Sequence, residues 1–144
     1  MIENDTIKLL RECDAGVEMG IDSINDVIDN VKSKAFRQLL SNCRDEHQKL
    51  ETEIRNLLEK YQDGGKEPNP IVKGMGWVKT NMKLAMEDSD AVVADLMTDG
   101  CNMGVKSLNK YLNQYKAADE YSKNIAKDLI TLENNLANDI RQYL

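Results

Sequence analysis

Apolar residues recur every three or four positions along most of the chain, which is the spacing of one face of an α-helix. The pattern predicts four helices, over about residues 5–31, 34–63, 90–115 and 118–143. With two prolines, one phenylalanine and one tryptophan, the composition also suits a helical protein better than a β-sandwich. The sequence therefore predicts an all-α protein with a single four-helix-bundle domain over residues 1–144.

The connections between the predicted helices differ greatly in length. The first two helices are joined near Lys32 by so few residues that they must be antiparallel neighbours. Residues 64–89 form a much longer connection, which begins with breaks at Gly64 and Pro68 and contains a shorter amphipathic piece at 71–88. This length favours a crossover with a short helix that returns along the bundle, so that helices two and three run parallel.

The second half of the chain repeats the first. Residues 19–25, M-G-I-D-S-I-N, correspond to residues 103–109, M-G-V-K-S-L-N. Residues 54–58 correspond in the same way to residues 140–144. Apolar matches alone are expected between any two bundle helices, but the shared glycine, serine and asparagine are not. The chain is therefore predicted to be one antiparallel helical hairpin written twice.

Paired hairpins joined by a long crossover resemble the ferritin-like superfamily. Within it, the chain resembles the bacterial group catalogued as domain of unknown function 2383. The resemblance is carried by Cys13-Asp14-Ala15-Gly16, Gly64-Gly65 with Pro68, Gly74-Met75-Gly76-Trp77, and Asp99-Gly100 with Tyr111. It implies a ferritin-like bundle over nearly the whole chain, and a stress-related or spore-related role in bacteria.

Charge and cysteine content narrow the possible partners and location. The 25 acidic and 19 basic residues give a net charge of −6, which argues against nucleic acids and anionic membranes as partners. The N-terminus has no secretory signal and no stretch is long enough to span a bilayer, so a cytoplasmic protein is expected. Cys13, Cys43 and Cys101 form no CxxC pair and are expected to be reduced core residues.

The residues around the only histidine, His47, indicate whether the chain carries a diiron site. Ferritin-like enzymes place Glu-x-x-His on helices two and four, because residues three apart share one helix face and can ligate the same metal centre. Here Arg44 stands three residues before His47, and the fourth predicted helix has no histidine. We therefore expect no ferroxidase or oxygenase activity, no catalytic residues, and no cofactor.

The repeat nevertheless connects His47 to an acidic partner. It aligns His47 with Glu133, and both fall near the middle of the predicted bundle. One interpretation is a structural polar layer with an ion pair between these residues, close to Arg44. The alternative is a single divalent metal ion bound by Glu18, His47 and Glu133. The other polar positions assigned to this layer are Asp14, Thr98 and Asn102.

Three functions follow as hypotheses. The first is a non-enzymatic bundle that acts through protein contacts, by self-association or with another protein, and in which the segment around Trp77 either closes a groove or docks a partner. The second is a metal-binding protein with a reduced, non-diiron site. The third is small-ligand binding between the hairpins, suggested by the four glycines at i and i+4 spacing, although such glycines also allow helices to approach closely. These glycines are Gly16, Gly20, Gly100 and Gly104.

Overall fold

The computed structural model describes residues 4–61 and 89–144, which form four α-helices and contain no strand. The helices are α1 (Asn4–Val27), α2 (Lys34–Lys60), α3 (Asp90–Gln114) and α4 (Glu120–Asp139). Within these residues the all-α prediction is confirmed. The predicted crossover lies outside them except for Ser89, as does the segment around Trp77.

Three helices begin at a polar residue that caps the first turn. The side chains of Ser33, Ser89 and Asp119 each accept a hydrogen bond from the backbone N–H three residues later. These bonds satisfy donors that have no partner inside the helix, which fixes where α2, α3 and α4 start. Sequence-based boundaries placed the start of the fourth helix at 118, two residues too early.

Helices α1 and α4 each end four residues earlier than predicted. After Val27 the chain tightens into a 3-10 turn at Ile28–Asn30, and Val31 is extended with φ −79° and ψ 127°. The chain must reverse before α2 begins at Lys34, so α1 cannot continue to residue 31 as the apolar spacing suggested. A second 3-10 turn, Arg141–Tyr143, follows α4. Isolated turns of this kind are common at helix ends.

Hydrogen bonds to the Asp90 carboxylate join the start of α3 to the start of α2. The Asp90 carboxylate accepts the backbone N–H of Lys32 at 2.8 Å and of Ser33 at 3.0 Å. The first residue of α3 therefore lies beside the turn between α1 and α2. As a result, α2 and α3 begin at the same end of the bundle.

A matching contact holds the opposite end. Asp5 accepts the backbone N–H of Ala117 at 3.1 Å, and the Thr6 hydroxyl accepts that of Asp119 at 2.9 Å. The first turn of α1 therefore lies beside the turn between α3 and α4. Together, the two sets of bonds make α1 parallel to α4, and make each antiparallel to the helix that shares its hairpin.

The core consists of two apolar clusters, one toward each end of the bundle. The first surrounds Phe36, whose ring stacks on Tyr143 with centroids 4.5 Å apart. The second surrounds Leu9 and Leu129. His47 lies where the two clusters meet and is 1% exposed.

The apolar spacing of α3 predicts a buried stripe through Ala91, Ala94 and Thr98, and Ala94 is buried. Ala91 is exposed and Thr98 is half-buried, whereas Val93 and Met97 are buried. The helix contacts both α1 and α4, so its buried face is wider than a single stripe. None of the helices in the described ranges has the length and apolar character needed to cross a membrane.

Candidate functional site

The centre of the bundle holds a hydrogen-bonded pair of polar side chains, His47 on α2 and Glu133 on α4. Nε2 of His47 lies 2.8 Å from Oε1 of Glu133, and Nδ1 lies 2.8 Å from the carbonyl oxygen of Cys43. Both ring nitrogens therefore face acceptors. The Nδ1 site donates to the carbonyl, so a proton must also lie between Nε2 and Glu133. The pairing predicted from the repeat is present, and as a unit it is electrically neutral.

This arrangement keeps His47 protonated. Burial by itself lowers the pKa of His47, but its hydrogen bonds with Cys43 and Glu133 and the negative charge of Glu133 outweigh it and raise the pKa to about 10. At neutral pH the pair is therefore an imidazolium and a carboxylate. Ion pairs are tolerated in protein interiors only when both partners are well hydrogen-bonded, as they are here.

The thiol of Cys101 on α3 is buried close to Glu133. Burial and the charge of Glu133 raise the pKa of Cys101 well above its ordinary value. Burial, together with Glu12 and Asp14, raises the pKa of Cys13 to about 12. Cys13, Cys43 and Cys101 are all free and buried, as predicted. Since the thiolate is the reactive form of cysteine, neither Cys13 nor Cys101 is suited to act as a nucleophile at neutral pH.

Two glycines make the space for the central pair. A Cβ atom on Gly20 would lie 2.9 Å from both Cδ2 and Nε2 of His47. A Cβ atom on Gly104 would lie 3.5 Å from Oε2 of Glu133. These glycines occupy equivalent positions in the sequence repeat. Each hairpin therefore contributes one glycine against the pair, and no larger residue fits at Gly20 unless the imidazole moves.

The glycines do not bring α1 and α3 into close contact. A Cβ atom on Gly100 would meet nothing within 4 Å, and one on Gly16 would make only an ordinary contact with Leu129. A cavity of about 220 Å³ occupies the space between the two helices, and His47 and Glu133 lie at its base. Much of its wall is apolar, and includes the side chains of Met19, Met97 and Met103.

The predicted metal ligands are not all brought together. Glu18 lies near Arg55 of α2, with its Oε2 3.8 Å from Nη2. Arg55 also contacts Asp14 at 3.2 Å and Glu51 at 3.4 Å. Glu18 is thus part of a separate cluster on the α1–α2 face, while His47 and Glu133 form the central pair. In residues 4–61 and 89–144 there is no group of three or more histidine, cysteine or acidic side chains arranged to hold a metal ion.

The predicted polar layer is narrower than expected. Asn102 is exposed, and the Thr98 hydroxyl donates to the Ala94 carbonyl at 2.7 Å within its own helix. Arg44 donates to Asn25 at 2.8 Å. Asn102 therefore lies outside the layer, and the hydroxyl of Thr98 bonds within α3 and not to His47 or Glu133. Asp14 is 5% exposed, but it pairs with Arg55 and not with the central residues.

Sequence reasoning missed two features of the site. The closeness of Cys101 to Glu133 was not predicted, because the sequence indicated only that Cys101 is a reduced core residue. The cavity itself had a clearer signal in the four glycines, which were assigned either to a ligand or to close helix contact. Comparisons of the chain with protein-family models, with curated proteins and with solved structures found no match in any of the three.

Proposed function

We propose that this protein binds a small, largely apolar ligand in the cavity between α1 and α3, and that it does so without changing the ligand chemically. The observation that carries the proposal is the cavity of about 220 Å³ with apolar walls and a polar base. A concave apolar site with a few convergent polar groups is the usual form of a ligand pocket. An apolar cavity of about 150 Å³ is known to hold one benzene molecule, so this one has room for a ring with a short substituent.

The side chains that border the cavity can adapt to ligands of different shapes. Met19, Met97 and Met103 border the cavity, and methionine side chains adapt to irregular ligands because they are unbranched and polarisable. The base is less suited to chemistry. Both N–H groups of His47 are committed to protein acceptors, and the Cys101 thiol stays protonated at neutral pH. These features favour binding over catalysis.

The two other hypotheses have less support. Metal binding would need a further ligand beside His47 and Glu133, and Glu18 lies with Arg55 instead. Function through protein contacts would be favoured by a continuous exposed apolar patch. The large exposed apolar side chains among the described residues are Met103 on α3, Tyr121 on α4, and Leu144 after the second 3-10 turn.

A ferritin-like layout and a duplicated hairpin remain our proposal for the fold. Two observations support it. Gly20 and Gly104, which the repeat aligns, both border Glu133, and His47 pairs with Glu133 at the position that the repeat assigns to it. In addition, Asp5 and Asp90, each near the start of a hairpin, accept backbone hydrogen bonds from the turn of the other hairpin.

The proposal is tested by titrating the protein with 2-phenylethanol while the methionine methyl groups are observed by NMR. We expect saturable shifts at Met19, Met97 and Met103, with a Kd of about 0.1–1 mM for a ligand of this size. Gly100→Leu should abolish the shifts, because its side chain extends into the open space beside that glycine. Leucine also favours a helix more than glycine does, so the variant should stay folded.

Asn102→Leu is the matched control. It adds the same side chain on the same helix, but at an exposed position that does not border the cavity. It should bind 2-phenylethanol like the parent protein. The proposal fails if the parent shows no saturable shifts, or if Gly100→Leu and the parent bind equally well.

A further inference from the structure

We infer that the cavity binds an uncharged ligand that carries a hydroxyl group, an alcohol or a phenol, whose O–H donates a hydrogen bond to the Glu133 carboxylate. The apolar part of the same molecule fills the space between α1 and α3. The inference rests on the proposed function and adds the chemical class of the ligand. It follows from the net charge of the base of the cavity, from its hydrogen-bonding capacity, and from the approach to Glu133 beside Gly104.

The polar base of the cavity has no net charge. Nε2 of His47 lies 2.8 Å from Oε1 of Glu133, and the opposite charges of the two groups balance at neutral pH. Glu12 also borders the cavity, but it lies two helical turns before Gly20 on α1, about 12 Å along the helix axis. A charged ligand would have to leave water for mostly apolar walls, against a base that offers no unbalanced opposite charge. The base therefore favours an uncharged molecule.

The hydrogen-bonding capacity of the base selects a donor. Nδ1 of His47 donates to the Cys43 carbonyl, and Nε2 faces Glu133, so the imidazole has no N–H left for a ligand. A carboxylate can accept about four hydrogen bonds, so Glu133 keeps capacity beyond its bond with His47, even with the Cys101 thiol close by. What the central pair still offers is an acceptor. A ligand with acceptors alone would leave this capacity unused, whereas a hydroxyl group supplies the donor.

The absence of a side chain at Gly104 gives a ligand access to that acceptor. A Cβ atom on Gly104 would lie 3.5 Å from Oε2 of Glu133, and both residues border the cavity. The bond with His47 is made by the other carboxylate oxygen, Oε1. The space beside Gly104 therefore leads to the oxygen that His47 does not use. An O–H group that donates there would form a charge-assisted hydrogen bond, which is stronger than a bond between neutral groups.

The inference is tested on the unmodified chain with four ligands that share a phenyl ring and a short chain. 2-Phenylethanol and (2-fluoroethyl)benzene are matched in size, but only the first has a donor, while phenethylamine and phenylacetate are charged at pH 7. Each is titrated at pH 7 and followed by the methionine methyl signals. We expect the alcohol to bind at least about tenfold more tightly than the fluoride, because a hydrogen bond to a charged group contributes about this much. Both charged ligands should bind more weakly than the alcohol.

Two alanine substitutions on α3 test the approach to Glu133. Gly104→Ala places a methyl group against Oε2 at an ordinary contact distance, so the advantage of the alcohol over the fluoride should fall to less than about threefold. Gly100→Ala is the matched control, because its methyl group meets nothing within 4 Å, and the advantage should persist. Alanine favours a helix more than glycine does, so both variants should fold, which thermal melts establish.

Glu133→Gln tests the acceptor itself. The amide keeps the shape of the side chain but replaces a charged acceptor with a weaker neutral one, so the advantage of the alcohol should again fall to less than about threefold. Glu46→Gln, which changes an exposed glutamate on α2, should leave the advantage as it is in the parent. If Glu133→Gln does not fold, the comparison of Gly104→Ala with Gly100→Ala still decides whether the hydroxyl group reaches Glu133.

The outcomes separate the inference from the function on which it rests. If the fluoride binds as tightly as the alcohol, or if either charged ligand binds more tightly than the alcohol, the inference is overturned and the proposed function stands. The same conclusion follows if Gly104→Ala keeps the full advantage of the alcohol. If none of the four ligands gives saturable shifts, or if binding survives Gly100→Leu, the proposed function is overturned as well.

Discussion

Two ionic clusters on α2 lie eight residues apart and are built in opposite ways. His47 is 1% exposed, has a single acidic partner, and fits against a glycine that leaves it no free space. Arg55 is 53% exposed and shares its charge among Asp14, Glu18 and Glu51 at distances from 3.2 to 3.8 Å. The pair of His47 and Glu133 lies between the two apolar clusters of the core, whereas the group around Arg55 borders solvent.

The difference shows that the contribution of an ion pair to stability depends on its surroundings. In water, most of the attraction between two charges is offset by their lost hydration, so an exposed pair contributes little. In an interior, removing one partner leaves a charge that has neither water nor a counterion, which is costly. We therefore expect the central pair to dominate how the stability of the protein depends on pH and on mutation. The Arg55 cluster should have a much smaller effect on both.

The largest effect should come from Glu133→Leu. The variant leaves His47 buried without a counterion, and the free energy of unfolding at pH 6 should fall by about 3–5 kcal/mol. Urea denaturation followed by circular dichroism measures this. Glu46→Leu, which removes an exposed glutamate on α2, should change stability by no more than about 0.5 kcal/mol. Equal stability of Glu133→Leu and the parent at pH 6 would contradict the central role of the pair.

The second effect is a loss of stability at alkaline pH. The pKa of His47 is raised from 6.5 to about 10 in the folded protein. The contribution of the charged His47 to stability is therefore complete below pH 6.5 and is lost as the pH rises through 10. Above pH 6.5 the unfolded state releases a proton that the folded state still holds, so a rising pH favours unfolding. The titratable groups that contact His47 are Cys43 on α2 and Glu133 on α4.

We expect the parent to lose about 3 kcal/mol more than His47→Gln does between pH 6.5 and pH 10. The difference between the two proteins removes the contributions of lysines, tyrosines and thiols that titrate in the same range. Parallel stability curves for the parent and the variant would show that His47 is not held in its charged form.

The third effect separates two glycines that border the same cavity. Gly20→Ala should destabilise the protein by about 1–3 kcal/mol, because the new Cβ would lie 2.9 Å from the imidazole and force the pair apart. Gly100→Ala should stabilise it by about 0.5–1 kcal/mol, since alanine favours a helix and meets nothing within 4 Å. Thermal melts of the two variants should therefore shift in opposite directions. Shifts of the same sign would argue against the crowding at Gly20.

The smallest effect should come from Arg55→Met, which keeps most of the side chain but removes the charge. Since Arg55 is 53% exposed, the expected cost is about 0.5–1 kcal/mol at low salt, and it should diminish in 0.5 M NaCl. Asp14 is the one partner that is nearly buried, and it sets the upper end of this range. A cost above 3 kcal/mol that is insensitive to salt would place the Arg55 cluster in the same class as the central pair.

Much of the helical framework was accessible from sequence because apolar periodicity reports directly on which face of a helix is buried. His47 was placed near the middle of the bundle, and the repeat identified Glu133 as its partner. The positions of Thr98 and Asn102 were not accessible in the same way. Their burial depends on how far α3 rotates against two neighbours at once, and no residue of α3 alone specifies that rotation. The pairing of Glu18 with Arg55 was not predicted for a similar reason, since it depends on the relative rotation of α1 and α2.

The bonds that join the starts of α1 and α3 to the opposite turns have a consequence for assembly. Each hairpin carries backbone donors in its turn that are satisfied only by the first residues of the other hairpin, through Asp90 in one direction and Asp5 and Thr6 in the other. The alignment of the two halves is therefore encoded at their ends and does not require them to share one polypeptide. Two separate peptides, one containing α1 and α2 and the other α3 and α4, should recognise each other and assemble in the same register.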